Sequence, residues 1–349
     1  MAARILHDPI DNPGWLDLLE HHPAASIFHS PGWLNALQQT YGYAPFVVTT
    51  SRGPTLENGL VACHVKGWTS GRVVSLPFSD HCDPLVDNAA DFSEGVTSLL
   101  DYARRSGARS VEMRPTAAFG EAFCEAGADM LKPAATYCFH HIDLRESEAE
   151  LFTRFHPTST RRAIRRAERE GLTYEAGTSE PLLTSFYPLL RMTRRRHGLP
   201  PQPLLWFRNL LANLDDRVSI HLASKDGRPI AGMMTLSFKK TTYYKYGGSD
   251  AAQHRLGGMP FLFWRVIKDA RRRGFEVLDL GRSDVDQAGL IAFKDHLGAT
   301  QSTLTYYRYP GQPDTTRSEW ITRAARGTFS HLPDVALDLA GKLIYKRLG

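Results

Sequence analysis

TTYYKYGGSDAAQHRLGGMPFLFWRVIKDARRRGFEVLDLGRSDVDQAGLIAFKDHLGAT, residues 241–300, decides how this chain is read. Its aromatic run, Tyr243, Tyr244 and Tyr246, suits a pleated, half-buried surface, and the paired Gly247-Gly248 behind it is expected to stop the strand. A glycine-rich loop, Ser249 to Met259, then leads through Pro260 into an apolar stripe of Leu262, Phe263, Val266, Ile267 and Ala270. Proline at the start, arginines in the last turn and Gly274 beyond them supply the start and stop signals of a helix. Phe275 to Leu280 reads as a short buried strand ending at Gly281-Arg282-Ser283-Asp284, and a shorter helix carrying Phe293-Lys294 follows. Polar side chains therefore gather where strands end, which is where open α/β sheets place their ligands.

Upstream of this stretch the spacing predicts helices over 182–196 and 204–214 and strands over 218–223, 230–238 and 242–246. The same order occurs in the first half of the chain. Helices are expected over 13–20 and 31–39, strands over 45–50, 59–66 and 72–76, then a helix over 92–106, a strand over 110–113, a helix over 119–126 and a strand over 137–144. A last strand is expected over 302–309. Ala103-Arg-Arg-Ser-Gly107 before Val111-Glu112 also matches Ala270-Arg-Arg-Arg-Gly274 before Leu278-Asp279 at a constant offset. Recurrence of element order points to a duplicated unit. The expected domains are 1–145, 146–310 with a basic helix over 159–170, and a linker with a C-terminal helix over 311–349. That helix, from Asp334, is expected to dock through Val335, Leu339, Leu343 and Ile344, with a membrane-surface role as the alternative.

With 349 residues, 42% hydrophobic and 23% charged, the chain can bury two ordinary cores. No apolar run reaches the ~18 residues of a membrane span, and the first residues lack the apolar core of a signal peptide, so a cytoplasmic protein is expected. Four scattered cysteines without a Cys-x-x-Cys pair indicate neither a zinc ribbon nor a disulfide framework. Asp80-His81-Cys82-Asp83 is too local to form a metal site, so none is expected. A formal charge of +5 favours anionic partners only weakly.

The order of elements resembles that of the GNAT acyltransferase fold, seen twice: an α/β (α+β) protein of tandem GNAT-like domains, each a mixed, mostly antiparallel sheet flanked by helices. In that family a loop before the helix holds the pyrophosphate of coenzyme A on backbone N–H groups and the helix dipole. The nearest frame here is His254-Arg255-Leu256-Gly257-Gly258-Met259, with His in place of the family's Gln or Arg and Met in place of its last small residue. The tandem arrangement is similar to the Fem-type peptidyltransferases and to FemAB-like proteins of exopolysaccharide loci. Leu76-Pro-Phe-Ser-Asp80, the arginine helix ending in Glu170-Gly171, Tyr246-Gly-Gly-Ser-Asp250, Asp279-Leu-Gly281 and Phe293-Lys294 carry that likeness. Fem-type enzymes take aminoacyl-tRNA and extend the stem peptide of peptidoglycan precursors. The resemblance implies that Phe293 and Lys294 lie near the reacting end of the donor. A long coiled-coil arm is not evident.

No Gly-x-Ser-x-Gly elbow or Cys-His signature is present, so direct attack of an amine on a bound acyl donor is the expected chemistry. Such attack needs an amine deprotonated and an oxyanion stabilised. Tyr246, Asp279, Asp284 and Lys294 are the catalytic candidates, and Asp80, Arg162, Arg166, Arg282 and Phe293 the substrate-binding ones. The basic helix lines up Arg161, Arg165 and Arg169 on one row and Arg162 and Arg166 on another, a face that either binds an anion or is merely solvated. Arg194-Arg-Arg-His-Gly198 ends a helix whose dipole already favours cations. The expected function is acyl or aminoacyl transfer to an amine of a cell-wall or exopolysaccharide precursor. The donor is acyl-CoA or aminoacyl-tRNA, the acceptor an anionic or glycan-linked amine, and no cofactor is tightly bound. Partners left open are tRNA and peripheral membrane contact. The alternative is a noncatalytic binding module for a nucleic acid or phosphosugar.

Overall fold

A computed structural model describes residues 3–67, 71–121, 130–311, 329 and 332–348. The chain divides into two compact units. The first holds residues up to Tyr137, the strand from Thr303 and the residues from Lys342 on, and the second holds Cys138–Ser302 with the start of the C-terminal helix.

In the first unit Arg4–Leu6 (β1) is followed by helices Pro13–His21 (α1) and Pro31–Tyr41 (α2) and by strands Pro45–Thr49 (β2), Leu60–Lys66 (β3) and Gly71–Val74 (β4). Helix Ala89–Arg105 (α3) and strand Ala108–Met113 (β5) follow. β1 to β4 pair antiparallel in sequence order, and β4 pairs β5 in parallel. The expected helix over 119–126 falls largely outside the described residues. Strand Lys132–Asp143 (β6) and helices Glu148–Arg154 (α4) and Arg162–Arg169 (α5) follow, α5 being entered through a wide five-residue turn, Pro157–Arg161, rather than starting at Ser159.

The second unit repeats the order: strand Thr173–Gly177 (β7), helices Glu180–Arg196 (α6) and Leu204–Leu214 (α7), strands Val218–Lys225 (β8), Arg228–Phe238 (β9) and Thr241–Ser249 (β10), helix Gly258–Arg272 (α8) and strand Val277–Asp284 (β11). Here too the first four strands pair antiparallel and the fourth pairs the fifth in parallel. Helix Ala288–His296 (α9), strand Thr300–Tyr309 (β12) and helix Asp334–Leu348 (α10) end the chain.

The closing strand differs from the expected domain limits. β12 pairs antiparallel with β5, Tyr307 opposite Met113 and Tyr309 opposite Val111, and so runs with the first unit. Chain order cannot specify this, because a duplicated sheet offers two equivalent edges.

Each unit buries its own core. Phe46, Val48, Leu60 and Val73 of the first sheet meet Phe92, Val96 and Leu99 of α3, and Leu262, Phe263, Val266 and Ile267 of α8 meet Leu278 and Leu280 of β11. Helix starts follow local capping: Asn88 accepts from the Asp91 N–H and Ser179 from the Leu182 N–H.

Two of the buried histidines, His29 and His221, have strongly lowered pKa values. His29 shares a hydrogen bond with Ser26 Oγ at 2.8 Å and another with the Asp83 carbonyl at 2.9 Å, and burial pushes its pKa down to about 4. Burial, then the charge of Arg273, pushes His221 down to about 3. An unfolded imidazole binds its proton near pH 6.5, whereas these refuse it until pH 4 and 3, so stability present above pH 6.5 is lost as pH falls toward those values. The loss is roughly 1.4 kcal/mol per pH unit per histidine. Glu112 adds a further loss below the ordinary glutamate range: burial raises its pKa, but Arg114, Arg72 and Arg308 outweigh that and hold it at about 2. Urea midpoints are expected to fall steadily between pH 6.5 and 4, with a shallower fall in His29→Gln. A flat profile over that range would contradict the assignment.

Candidate functional site

β10 and β11 pair only at Thr241–Val277, Thr242–Leu278 and Tyr243–Asp279, although β10 continues to Ser249 and β11 to Asp284. Two local irregularities accompany the end of pairing. A bulge interrupts the β9–β10 register between Tyr244 and Tyr246, and Gly281 takes a left-handed conformation, φ 67°, inside β11. A bulge moves the following side chains to the opposite face. Tyr244 and Tyr246 therefore part company. The Tyr246 hydroxyl is buried and accepts from Trp206 Nε1 at 2.8 Å, whereas Tyr244 faces a cavity of about 430 Å³.

That cavity lies wholly in the second unit. The end of β10, Gly247 to Asp250, forms one wall, Thr193, Arg196 and His197 of the α6 end a second, and Gly289, Leu290 and Phe293 of α9 a third. Gly258, Met259 and Pro260 open α8 onto it. Pro260 has no N–H, so Gly258 and Met259 carry the unpaired donors of the first turn, at the positive end of the helix dipole.

Close packing explains the glycines. The strand was expected to stop at Gly247-Gly248 but runs through both, because Gly248 lies flat against α6: a Cβ there would stand 2.4 Å from Leu190 N. Gly257 needs its positive φ of 77°, and a Cβ would stand 2.5 Å from the Ala163 carbonyl oxygen of α5. Asp250 caps the short 3-10 turn Ala251–Leu256, accepting from the Ala252 N–H at 3.0 Å.

The structure brings His254, Gly258 and Phe293 of the sequence candidates to the cavity. His254 Nε2 shares a hydrogen bond with Ser249 Oγ at 2.9 Å, and burial, then the Arg196 charge, lowers its pKa. Arg255 is exposed and its carbonyl accepts from Arg166 at 2.9 Å. Arg162 is exposed on α5 and does not line the cavity. Asp80 belongs to the first unit, where its carbonyl accepts from the Tyr306 hydroxyl at 2.6 Å. Arg282 and Asp284 stand 4.0 Å apart.

Asp279 and Lys294 converge on Gly281 instead of lining the cavity. Asp279 Oδ1 accepts from the Gly281 N–H at 2.6 Å. Lys294, 3% exposed, donates through Nζ to the carbonyls of Gly281 at 2.9 Å and Arg282 at 3.2 Å. Together they clasp both sides of the kink in β11, just past its last pair with β10. The preceding residue, Phe293, is on the cavity wall with its ring 5.6 Å from that of Phe263.

Tyr244, Thr193, Arg196, His197 and Asp250 line the cavity without having been candidates. Tyr244 stood in the aromatic run and Asp250 in the Tyr246-Gly-Gly-Ser-Asp250 stretch without a role assigned, and the run 194–198 was explained equally well by the helix dipole. Burial pushes the Tyr244 pKa up to about 12, so the phenol keeps its proton at neutral pH.

Residues 154–294 match the family described as Acetyltransferase (GNAT) domain, a span that contains the whole cavity. A curated relative, UDP-N-acetylmuramoylpentapeptide-lysine N(6)-alanyltransferase of Weissella viridescens, is 27% identical over 95 residues. That match covers 27% of this chain and spans only 28% of the relative's length. Among solved structures, FemX superposes with a TM-score of 0.71 at 15% identity, over 88% of this chain and 97% of that one. A tandem GNAT protein from the clavulanic acid biosynthesis pathway superposes with a TM-score of 0.53 at 13% identity, over 88% and 98%. The structure of L-PGS from Bacillus licheniformis gives 0.56 at 14% identity, over 93% and 97%. At these identities the structural likeness is one of fold: mixed α/β, with a mostly antiparallel sheet flanked by helices.

Proposed function

We propose, from the match of residues 154–294 to the Acetyltransferase (GNAT) domain family, that this chain transfers an acyl or aminoacyl group from a phosphate-bearing carrier to an amine. The observation that carries the reading is that the end of β10, beyond its last pair with β11, shares one cavity with the N-terminus of α8: an acyl arm laid along that unpaired strand end has its phosphates at the Gly258 and Met259 N–H groups. Acyl-CoA and aminoacyl-tRNA both present that chemistry. A cell-wall precursor as acceptor is supported by the Weissella relative, which is described as alanylating the lysine of a muramoyl pentapeptide. An exopolysaccharide amine is the other acceptor of the same class.

In this reading the amine lone pair attacks the carbonyl carbon of the thioester or ester. A C–N bond forms, the carbonyl oxygen becomes an oxyanion, and its collapse breaks the C–S or C–O bond. The amine gives up its proton to solvent and the departing carrier gains one. Tyr244, still protonated at pH 7, is placed to supply that second proton, a role typically worth about a hundredfold or more in rate. Phe293 and Leu290 wall the reacting end from water. Asp279 and Lys294 act at one remove, by fixing the β11 kink on which that wall rests.

Native mass spectrometry of the protein mixed with coenzyme A, acyl-CoA or aminoacyl-tRNA tests the carrier. One class is expected to bind, with Tyr244→Phe binding it as tightly as the parent while slowing transfer. Binding of none of them would overturn the reading.

A further inference from the structure

The C-terminal helix α10 turns the opposite way from the docking expected of its apolar residues. Val335, Leu339 and Leu343, four residues apart and so in one file along the helix, are 81%, 57% and 55% exposed. The face that packs inward is a different one, carrying Leu337, Gly341 and Tyr345. Gly341 permits this approach, since a Cβ there would stand 2.1 Å from the Pro201 carbonyl. Tyr345 accepts at its carbonyl from the Tyr43 hydroxyl at 2.9 Å.

Charge is sorted along the helix: Asp334 and Asp338 precede Lys342 and Lys346 at four-residue spacing, in the file beside the aliphatic one. Both acids of the helix are tied inward: Asp334 pairs with Arg191 at 2.7 Å and with Arg195, and Asp338 pairs with Arg191 at 3.5 Å and accepts from the Tyr187 hydroxyl at 3.4 Å. The cations Lys342, Lys346 and Arg347 are exposed at the same end as Leu343. Arg347 reaches the Gly67 carbonyl at 3.5 Å, which brings the exposed Lys66 beside that end as well. A helix dipole accounts for cations in a last turn. It does not account for three large aliphatic side chains left exposed beside those lysines.

We propose that this outward face of α10 seats on an anionic lipid surface. The aliphatic file enters the boundary between headgroups and acyl chains while Lys342, Lys346 and Arg347 meet lipid phosphates, the arrangement of an interfacial amphipathic helix. No described helix is long and apolar enough to cross a membrane, so the contact is peripheral and reversible. Anionic lipid is the occupant that satisfies both halves of the face, since an apolar protein groove would leave the lysines without partners and a purely polar one would leave the leucines in water. Nothing in this depends on acyl transfer.

Sedimentation of the full chain with sucrose-loaded vesicles provides the test. The protein is expected to pellet with vesicles of phosphatidylcholine and phosphatidylglycerol at 70:30, and about tenfold or more weakly with phosphatidylcholine alone. Leu339→Glu/Leu343→Glu and Lys342→Glu/Lys346→Glu, all at exposed positions, are each expected to weaken pelleting by about tenfold with the melting temperature unchanged. Failure of the parent to pellet with the anionic vesicles would overturn the proposal, and so would double variants that pellet as the parent does. A lipid-free dimer, seen by light scattering and dissolved by Leu339→Glu/Leu343→Glu, would assign the face to a second copy instead.

Discussion

Gly248→Val is expected to prevent the second unit from folding, or to cost it about 4 kcal/mol or more. The strand passes so close beneath α6 that a Cβ would stand 2.4 Å from Leu190 N, 2.5 Å from the Leu189 carbonyl carbon and 2.6 Å from its oxygen. These are backbone atoms inside a helix of seventeen residues, so no rotamer change relieves the overlap, and the helix has to lift off the sheet. Lifting it would carry Thr193, Arg196 and His197 away from the cavity and expose Leu189 and Leu190. Gly289 supplies the contrast. It lines the same cavity, but nothing lies within 4 Å of its Cβ position, and Gly289→Ala is expected to leave the melting temperature within a degree or two of the parent. Circular dichroism melts of both variants check the pair. A Gly248→Val protein that melts like the parent would mean that strand and helix are not packed this closely.

Lys294→Met is expected to lower stability and donor affinity together. The substitution keeps most of the side-chain volume but removes the hydrogen bonds that the almost wholly buried Lys294 Nζ gives to the Gly281 and Arg282 carbonyls. Leaving buried carbonyls unsatisfied costs roughly 1–3 kcal/mol each, so a fall of about 5–15 °C in melting temperature is expected for a unit of this size. Released from Lys294, the β11 kink keeps the bond from the Gly281 N–H to Asp279 but loses both carbonyl contacts, and the wall carrying Phe293 is expected to shift with it. Donor affinity is therefore expected to drop several-fold, with Asp279→Asn, which keeps an acceptor oxygen, milder on both counts. Calorimetric melting and donor titration on the same samples distinguish the possible roles. A Lys294→Met protein as stable as the parent, binding donor normally yet inactive, would move Lys294 from the clasp into direct contact with the reacting atoms.

Much of the fold was legible because its elements carry their own signals. The apolar stripe and flanking proline and glycine of α8, the valine-rich strands β2 to β4 and the recurrence of helix, helix and three strands all follow from local periodicity. The short strands β1 and β7 were missed for the same reason: Arg4–Leu6 has three residues, and Thr173–Gly177 at the sheet edge buries almost nothing and shows no clean alternation. Partner choice for β12 is a tertiary matter. So is the orientation of α10, where Leu337, Gly341 and Tyr345 pack inward and the longer apolar file is left exposed.

The site was legible in outline and not in detail. The glycine loop and Phe293 stand out in the sequence because glycine spacing and a Phe-Lys pair are local features. Which tyrosine faces the cavity is decided by one bulge, and alternation alone puts Tyr244 and Tyr246 on the same side. Lys294 and Asp279 show the reverse case, in which polar residues at a strand end spend their hydrogen-bonding capacity on the backbone that bends there. Arg196 and His197 come to the cavity only because Gly248 lets α6 settle against β10.

The account rests most heavily on the claim that the cavity beside α8 is where an acyl group changes hands. Incubating the protein with the carrier it binds, loaded with an isotope-labelled acyl or aminoacyl group, and with a muramoyl-pentapeptide amine, then resolving products by mass spectrometry, tests it most directly. The predicted result is a labelled amide on the acceptor, formed about a hundredfold or more slowly by Tyr244→Phe, with the free carrier released in equal amount. Carrier that stays bound and intact in the presence of the pentapeptide and of glycan-linked amines, with no labelled amide from the parent protein, would contradict it.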